Sequence, residues 1–185
     1  MRPLIIGIAG GSGCGKSTLC GAIERQLADK KVLIIHMDEY YKNPLPQMTS
    51  PITQCVYDDR NHPDSVDYEK PLNLIKSLQS GCTYDVVIVD GAFLYCYDEM
   101  CSLFDLKVFI ELDADERMYR RIKRNTDNFK ENIDFHADYY LNFAKYQEQQ
   151  FALPSKVYAD IVLNGNRLDG MALDVLLAWI KTKIS

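Results

Sequence analysis

The stretch "GIAGGSGCGKST", residues 7–18, is the part of this chain that most strongly indicates its fold. Residues 10–17 within it fit the pattern G-x-x-x-x-G-K-[ST]. An apolar run, 4–9, leads into the glycines, and a helical pattern begins at Lys16. That order of strand, glycine loop and helix is the context in which the pattern forms a phosphate-binding loop. The alternative is a glycine-rich turn with a chance lysine, and the complete pattern in this context disfavours it.

Each part of such a loop has a chemical task. Glycines let backbone N–H groups curl around phosphate oxygens, and the helix that follows adds the positive end of its dipole. In a loop of this kind Lys16 reaches the β- and γ-phosphates of a nucleotide, and the Ser17 hydroxyl ligates Mg²⁺. Thr18 is more typical of an ordinary first-turn helix residue than of a second metal ligand. The residues predicted to form the nucleotide site are Gly10, Gly11, Ser12, Gly13, Cys14, Gly15, Lys16, Ser17 and Thr18.

Short apolar runs alternate with helical patterns along the rest of the chain. The predicted strands are 4–9, 32–37, 85–90, 107–112 and 160–164. The predicted helices are 16–29, 69–79, 115–125, 134–150 and 170–183. Continuous β-branched runs suit strands that are buried on both faces. The alternation therefore predicts an α/β fold, a parallel sheet with helices on both sides.

Composition bounds the class of protein. The 185 residues fit one domain, 1–185, and a content of 47% apolar and 25% charged residues is ordinary for a globular protein. A formal net charge of −5 argues against nucleic acid or an anionic membrane as partner, since either needs a basic surface. No run approaches the roughly 20 apolar residues of a membrane span. We expect a cytoplasmic protein with small-molecule partners, and a homo-oligomer is left open.

The cysteines and histidines show no pattern of metal ligands. The six cysteines have no C-x-x-C spacing and are expected to be reduced, mostly buried thiols. The histidines are isolated in sequence and are predicted to be structural; they are His36, His62 and His136.

Two further segments have a predicted role. The last helix places one apolar face toward the core at helical spacing, formed by Ala172, Val175, Leu176, Trp179 and Ile180. Residues 42–66 contain four prolines and no period, and a loop this long in a compact domain is usually functional. We interpret 39–66 as a loop at the site of a phosphate acceptor. Its tyrosines, Tyr40, Tyr41 and Tyr57, either line that site or pack half-buried.

Two acidic residues come at the carboxyl ends of predicted strands. Asp90 ends "YDVVIVD" and Asp38 follows "VLIIHM". Parallel sheets bind ligands in the crevice at this edge, which is also where the phosphate loop lies. Asp90 is predicted to hold a metal ion or its water, and the alternative is an ordinary turn residue. Asp38, in preference to Glu39, is predicted to accept the proton of an attacking hydroxyl, unless it only caps its strand.

The arginines of "DADERMYRRIKRN", 113–125, fall into two groups. Two of them have an acidic residue one turn earlier, in the pairs Asp113 with Arg117 and Glu116 with Arg120. Such exposed pairs are routine and contribute about 0.2–0.5 kcal/mol each. Arg121 and Arg124 have no such partner and lie beside other cations, which is unfavourable without an anion. We assign them to phosphate or substrate, with a solvated basic face as the alternative.

With these residues in place, the chain resembles the uridine kinase and phosphoribulokinase family of P-loop kinases, nearly end to end. The resemblance is carried by "GIAGGSGCGKST", "HMDEYY", "NHPDSVDYEKPLNLIKSL", "VVIVDGAFLYC", "DLKVFIELDADERMYRRIKRN" and "LPSKVYADIVLNG". It implies a P-loop NTPase fold with five parallel strands flanked by helices. It also implies a mobile lid near 125–134 and transfer of the ATP γ-phosphate, with Mg²⁺, to a hydroxyl.

The resemblance also implies roles for single residues. In uridine kinases the residue that matches Asp38 is the base, and the one that matches Tyr41 lines the nucleoside site. Those that match Arg121 and Arg124 contact substrate and phosphates. The aspartate that grips the ribose just before "HPD" is Asn61 here, which we keep as a predicted substrate-binding residue.

Three more departures bear on the acceptor. The metal-side glutamate of the family is Asp90 here, and the lid "NTDNFKEN" has Lys130 as its only cation. The hairpin that closes over a pyrimidine in uridine kinases has no room in "LQSGCTYDVVIVDG", 78–91. We therefore expect a kinase of a small nucleoside-like or polyol hydroxyl for which uridine and cytidine are poor substrates. The alternatives are a nicotinamide riboside kinase-like enzyme, since that group also lacks the hairpin, and a degenerate nucleotide-binding regulatory module.

Overall fold

A five-stranded parallel sheet forms the centre of the protein, seen in a computed structural model that describes residues 2–81, 83–129 and 132–184, with 126–129 as backbone only. The strands are β1 (Leu4–Ala9), β2 (Val32–His36), β3 (Gln47–Thr49), β4 (Val56–Asp58), β5 (Val86–Gly91), β6 (Leu106–Glu111) and β7 (Ile161–Asn164). The sheet has the order β2-β5-β1-β6-β7 with all neighbours parallel. This confirms the predicted fold. Sequence patterns missed the antiparallel hairpin of β3 and β4, because strands this short carry no clear alternation.

Helices cover both faces of the sheet. They are α1 (Lys16–Gln26), α2 (Glu69–Gln79), α3 (Asp98–Cys101), α4 (Ala114–Phe129), α5 (Ile133–Tyr139), α6 (Lys145–Gln147) and α7 (Met171–Lys183). A π-helical turn, Tyr140–Ala144, joins α5 to α6, and a second one, Glu148–Ala152, follows α6, so residues 133–152 form one helical stretch. None of the described helices combines the length and the apolar composition needed to cross a membrane.

The core lies in two layers, one on each side of the sheet. Successive β1 side chains alternate between them: Ile6 belongs to the layer under α1 and α7, and Ile5 to the layer under α2. Both are fully buried. A strand that is apolar on both faces is therefore explained by helices on both sides of the sheet.

The predicted inner face of α7 was partly wrong. The buried residues of α7 are Leu173, Leu176, Leu177 and Ile180, whereas Val175 is 60% exposed. The helix carries apolar residues on most of its circumference, so helical periodicity alone does not decide which stripe faces inward.

The carboxyl edge of the sheet is where the chain turns toward the helices. β1 leads into the glycine loop, and β2 leads into a short 3₁₀ turn, Met37–Tyr40. The parallel register of β2 with β5 pairs His36 with Asp90. The ends of three neighbouring strands thus meet at one place. The predicted lid, 125–134, includes residues 130 and 131, which lie outside the described residues.

Candidate active site

The glycine loop curls between β1 and α1 as its sequence predicts. Gly13 and Gly15 have φ of +85° and +106°, in the left-handed region that favours glycine. A Cβ atom on Gly13 would lie 2.6 Å from the backbone oxygen of Arg117, so the loop packs closely on α4. The Lys16 ammonium donates a hydrogen bond to the Gly10 backbone oxygen at 2.9 Å. The loop therefore has the backbone geometry and the cation of a phosphate cradle.

Asp90 lies directly beneath the start of α1. It is 4% exposed and accepts a hydrogen bond from the Ser17 hydroxyl at 3.1 Å. Its other carboxylate oxygen lies 2.8 Å from Nδ1 of His36. Burial, followed by the negative charge of Asp90, raises the pKa of the nearby Cys20 thiol, which stays protonated and donates to Asp90. The acidic residue and the loop hydroxyl are thus in contact, as a site for a metal ion requires.

His36, which was predicted to be structural, lies in the cleft beside Asp90. The available signal was its position at the end of β2, since residues at the ends of neighbouring parallel strands meet. His62 does have a structural role. Its Nδ1 accepts the Asp64 backbone N–H at 3.0 Å and caps a 3₁₀ turn.

A cleft of about 800 Å³ runs from the glycine loop along the edge of the sheet. The predicted site residues that line it are Ser12, Gly13, Gly15, Lys16, Ser17, Thr18, Asp38, Tyr41, Asn61, Asp90, Arg121 and Arg124. Gly10, Gly11 and Cys14 do not line it. Gly10 packs against the backbone oxygen of Ile110, and Gly11 packs against the Arg117 guanidinium. The Cys14 side chain is fully buried in the core.

The side of the cleft opposite the glycine loop is built from residues 38–61. Asp38 is exposed to the cleft on the 3₁₀ turn that follows β2. The Tyr41 hydroxyl donates to the Arg60 backbone oxygen at 2.9 Å, and the Arg60 guanidinium lies 5.5 Å from the centre of the Tyr41 ring. Burial, and then the negative charge of Asp38, raises the pKa of Tyr41. Tyr57 instead packs against Tyr139 outside the cleft wall.

Asn61 is buried and both ends of its amide are used. Its Nδ2 donates to the Tyr139 hydroxyl at 2.7 Å, and its Oδ1 accepts from Arg121 at 3.2 Å. The Arg121 guanidinium also lies 5.7 and 5.9 Å from the ring centres of Tyr139 and Tyr140. Arg121 is therefore held at the cleft wall, as its assignment to a ligand requires.

The other arginines of α4 differ from one another. Arg124 is exposed at the cleft and donates weakly to the side chain of the adjacent Asn125, at 3.4 Å. Arg120 lies 3.9 Å from Glu116, so that predicted pair is confirmed. The pair of Asp113 with Arg117 was wrong. Arg117 is 2% exposed and forms a buried ion pair with Glu148, because its side chain turns inward beneath the glycine loop.

Glu148 is the residue that sequence patterns did not reveal. It is 2% exposed, lines the cleft and accepts the Ser12 backbone N–H at 3.0 Å. It comes from the helical stretch 133–152, more than a hundred residues after the loop, and no local motif marks it.

The parallel sheet, the glycine loop and the cleft together define a P-loop protein. Two solved structures share the fold: a putative fructose transport system kinase from Silicibacter sp. TM1040, and shikimate kinase from Bacteroides thetaiotaomicron. The first has a TM-score of 0.63 at 16% identity over 88% of this chain and 90% of that chain. The second has a TM-score of 0.51 at 17% identity over 98% of each chain.

Sequence relatives identify the family. The uridine kinase of Clostridium novyi (strain NT) is 31% identical over all of this chain and 98% of its own length. The uridine kinase of Bacillus pumilus (strain SAFR-032) is 31% identical over 98% and 95%. Uridine kinase-like protein 4 of Arabidopsis thaliana is 32% identical over 99% of this chain. The chain belongs to the uridine kinase family of P-loop kinases. No family model matches it, and it spans 42–44% of the length of the Arabidopsis relatives.

Proposed function

We propose that this protein is an ATP- and Mg²⁺-dependent kinase that transfers the γ-phosphate of ATP to a hydroxyl of a small nucleoside-like or polyol acceptor. The observation that carries the proposal is one continuous cleft, which is lined by the glycine loop and also by Asp38 and Arg121. Phosphoryl transfer needs both reactants held in line with charge stabilisation, and a continuous cleft between the two sets of residues meets that need.

The nucleotide side fits ATP and Mg²⁺. The loop supplies backbone N–H groups and Lys16, and Ser17 and Asp90 supply oxygen atoms suited to Mg²⁺. The described residues contain no cluster of three or more His, Cys, Asp or Glu that would hold a metal ion. Mg²⁺ usually keeps several waters and is held by one or two carboxylates together with substrate phosphates, an arrangement that Ser17 and Asp90 beside bound ATP would fit. When bound, the ion neutralises charge on the phosphates.

The opposite side fits a hydroxyl acceptor. Asp38 is exposed to the cleft, so its carboxylate is available to accept the proton of the hydroxyl. Arg121 and Arg124, which also line the cleft, balance the negative charge of the transferred group. The chain thus provides a base and cations in one place, the two elements that phosphoryl transfer to an alcohol uses.

The class of acceptor is suggested by the short connection between α2 and β5. Only residues 80–85 lie between α2 and β5, which leaves no room there for the pyrimidine-binding hairpin. The alignment with the Clostridium enzyme runs over 212 residues, so that relative has residues with no counterpart in these 185. The second candidate is a nicotinamide riboside kinase-like activity, which needs no such hairpin.

The test is a panel of acceptors scored by ADP release above background hydrolysis. Uridine, cytidine, nicotinamide riboside, sugars and small hydroxy acids are compared, and ³¹P NMR identifies the product. We expect at least one acceptor to stimulate ADP release strongly, with uridine and cytidine poor. Tight ATP binding without stimulation by any acceptor would indicate a nucleotide-binding regulatory module instead. Uridine as the best acceptor would refute the interpretation of the missing hairpin.

A further inference from the structure

Glu148 is a buried carboxylate at the boundary between the two sides of the cleft. Its Oε1 accepts the Ser12 backbone N–H at 3.0 Å and lies 3.9 Å from Nη1 of Arg121. Its Oε2 is paired with Nη1 of Arg117. One side chain therefore contacts the phosphate loop and two arginines that lie one helical turn apart on α4.

Neutralising Arg117 does not account for this arrangement. Arg117 is paired through Oε2 and also donates from Nε to the Leu112 backbone oxygen at 3.0 Å. The other oxygen, Oε1, points to the Ser12 amide and toward Arg121. A carboxylate near bound phosphates opposes their binding by repulsion, so its place at the loop needs a compensating role.

The surrounding structure fixes Glu148 in place. It begins a π-helical turn in which its backbone oxygen accepts the N–H of Leu153 at 2.9 Å, and such turns are frequent at functional sites. The preceding Gln147 donates to the buried Asp59 at 3.1 Å, which ties the same helical stretch to the segment that precedes Asn61. These contacts anchor the helical turn that carries the carboxylate.

We propose that Glu148 is a positioning residue that holds the Ser12 end of the phosphate loop and the Arg121 guanidinium in one arrangement. This inference rests on the proposed kinase function. Arg121 is held by Asn61 at one contact and faces Glu148 at another, over the rings of Tyr139 and Tyr140. Both contacts use Nη1 of Arg121, and a guanidinium has five N–H donors, so Nε and Nη2 are left to donate to a ligand in the cleft. Glu148 thereby couples the nucleotide loop to the acceptor side.

The test is a double-mutant cycle between Glu148 and Arg121. Glu148→Gln removes the charge, and Glu148→Asp keeps the charge that neutralises Arg117 but shortens the side chain by one methylene. We expect each to lower kcat/KM for the acceptor tenfold or more. In an Arg121→Met background at saturating ATP the same changes should lower it by less than threefold, because the contact with Arg121 is already gone and only the contact with the Ser12 amide remains to be lost. Equal losses in both backgrounds, or no loss in either, overturn the proposal.

Two controls separate positioning from folding. The melting temperature of Glu148→Asp should stay near that of the wild type, and Glu148→Gln is interpreted only if it also melts cooperatively. Glu99→Gln is the matched variant, because Glu99 is paired with Lys76 at the surface away from the cleft. It should leave kcat/KM unchanged.

A measurement without any acceptor keeps this inference distinct from the proposed function. Amide hydrogen exchange of Ser12 should be at least tenfold faster in Glu148→Asp than in the wild type, while the amides of β1 keep their rates. The ADP affinity of Glu148→Asp, measured by calorimetry, should also differ from that of the wild type. If no acceptor is phosphorylated by the wild type, the kinase proposal fails while the exchange result still decides the Glu148 contact. Unchanged Ser12 exchange overturns the inference whether or not the protein is a kinase.

Discussion

Replacement of Lys16 by methionine should separate activity from stability. In the folded protein the Lys16 ammonium donates to the backbone oxygens of Gly10 and Gly11, at 2.9 and 3.4 Å, from a partly exposed position. Hydrogen bonds from charged groups contribute about 1.5–3 kcal/mol, and solvent screening at this position reduces that to about 1 kcal/mol. For a chain of this length the melting temperature should therefore fall by only about 2–4 °C.

The effect of the same change on turnover should be far larger. A preorganised donor aimed at charge that develops on a transferred group contributes about 2.7–4 kcal/mol, or 10²–10³ in rate. Lys16→Met keeps the length of the side chain and removes the cation, so we expect kcat to fall by that factor with the best acceptor. Acceptor-dependent ADP release measures kcat, and thermal unfolding followed by circular dichroism measures stability.

Lys76→Met is the matched control, since Lys76 is an exposed lysine paired with Glu99. It should leave kcat within a factor of two of the wild type. If Lys16→Met retained kcat within threefold of the wild type while melting normally, the phosphate loop would have no part in the reaction and the proposed mechanism would be refuted.

Three further changes test other parts of the site. Asp38→Asn should abolish phosphoryl transfer and leave ATP affinity, measured by calorimetry, within about threefold, because the base acts on the acceptor and not on the nucleotide. Arg117→Met should lower the free energy of unfolding in urea by about 3–5 kcal/mol, because it leaves the buried Glu148 carboxylate without its partner. Asn61→Asp should raise kcat/KM for uridine about fivefold, because a carboxylate makes stronger hydrogen bonds to a ribose diol and still accepts from Arg121.

Each of these has an outcome that contradicts it. Parallel loss of ATP binding in Asp38→Asn would place Asp38 on the nucleotide side. An unchanged free energy of unfolding in Arg117→Met would show that the buried pair contributes little. Lys107→Met is the control, because it removes the partly exposed pair of Lys107 with Asp160. No gain with uridine in Asn61→Asp would show that residue 61 does not face a ribose.

Local patterns and one rule of sheet geometry explain what could be predicted from the sequence. The strands of the large sheet are continuous apolar runs, and the glycine loop has a complete motif, so both were located correctly. Asp38 and Asp90 were predicted to share a cleft because residues at the ends of parallel strands meet at one edge of the sheet, and both line the cleft. The same rule also places His36 beside Asp90, a contact that its isolation in sequence did not predict.

Long-range pairing explains what could not be predicted. Arg117 has an acidic residue one turn earlier, which predicts a surface pair, yet its partner is Glu148 from a helix much later in the chain. Nothing in the local sequence distinguishes a charged residue that points inward from one that points to solvent. The π-helical turns that orient Glu148 shift the helical period, so an amphipathic pattern is a poor guide there.

The contacts that Asn61 makes within the protein affect how an acceptor can be recognised. Its amide donates to Tyr139 and accepts from Arg121, so one donor and one acceptor position of the amide are already occupied. Displacing either contact leaves a buried polar group unpaired, at a cost of about 1–3 kcal/mol. A ligand gains more by using the free donors of Arg121 and the carboxylate of Asp38, which need not be released first. We therefore expect the acceptor to be selected by the spacing between its reacting hydroxyl at Asp38 and a second acceptor group at Arg121, with Asn61 holding Arg121 in position for it.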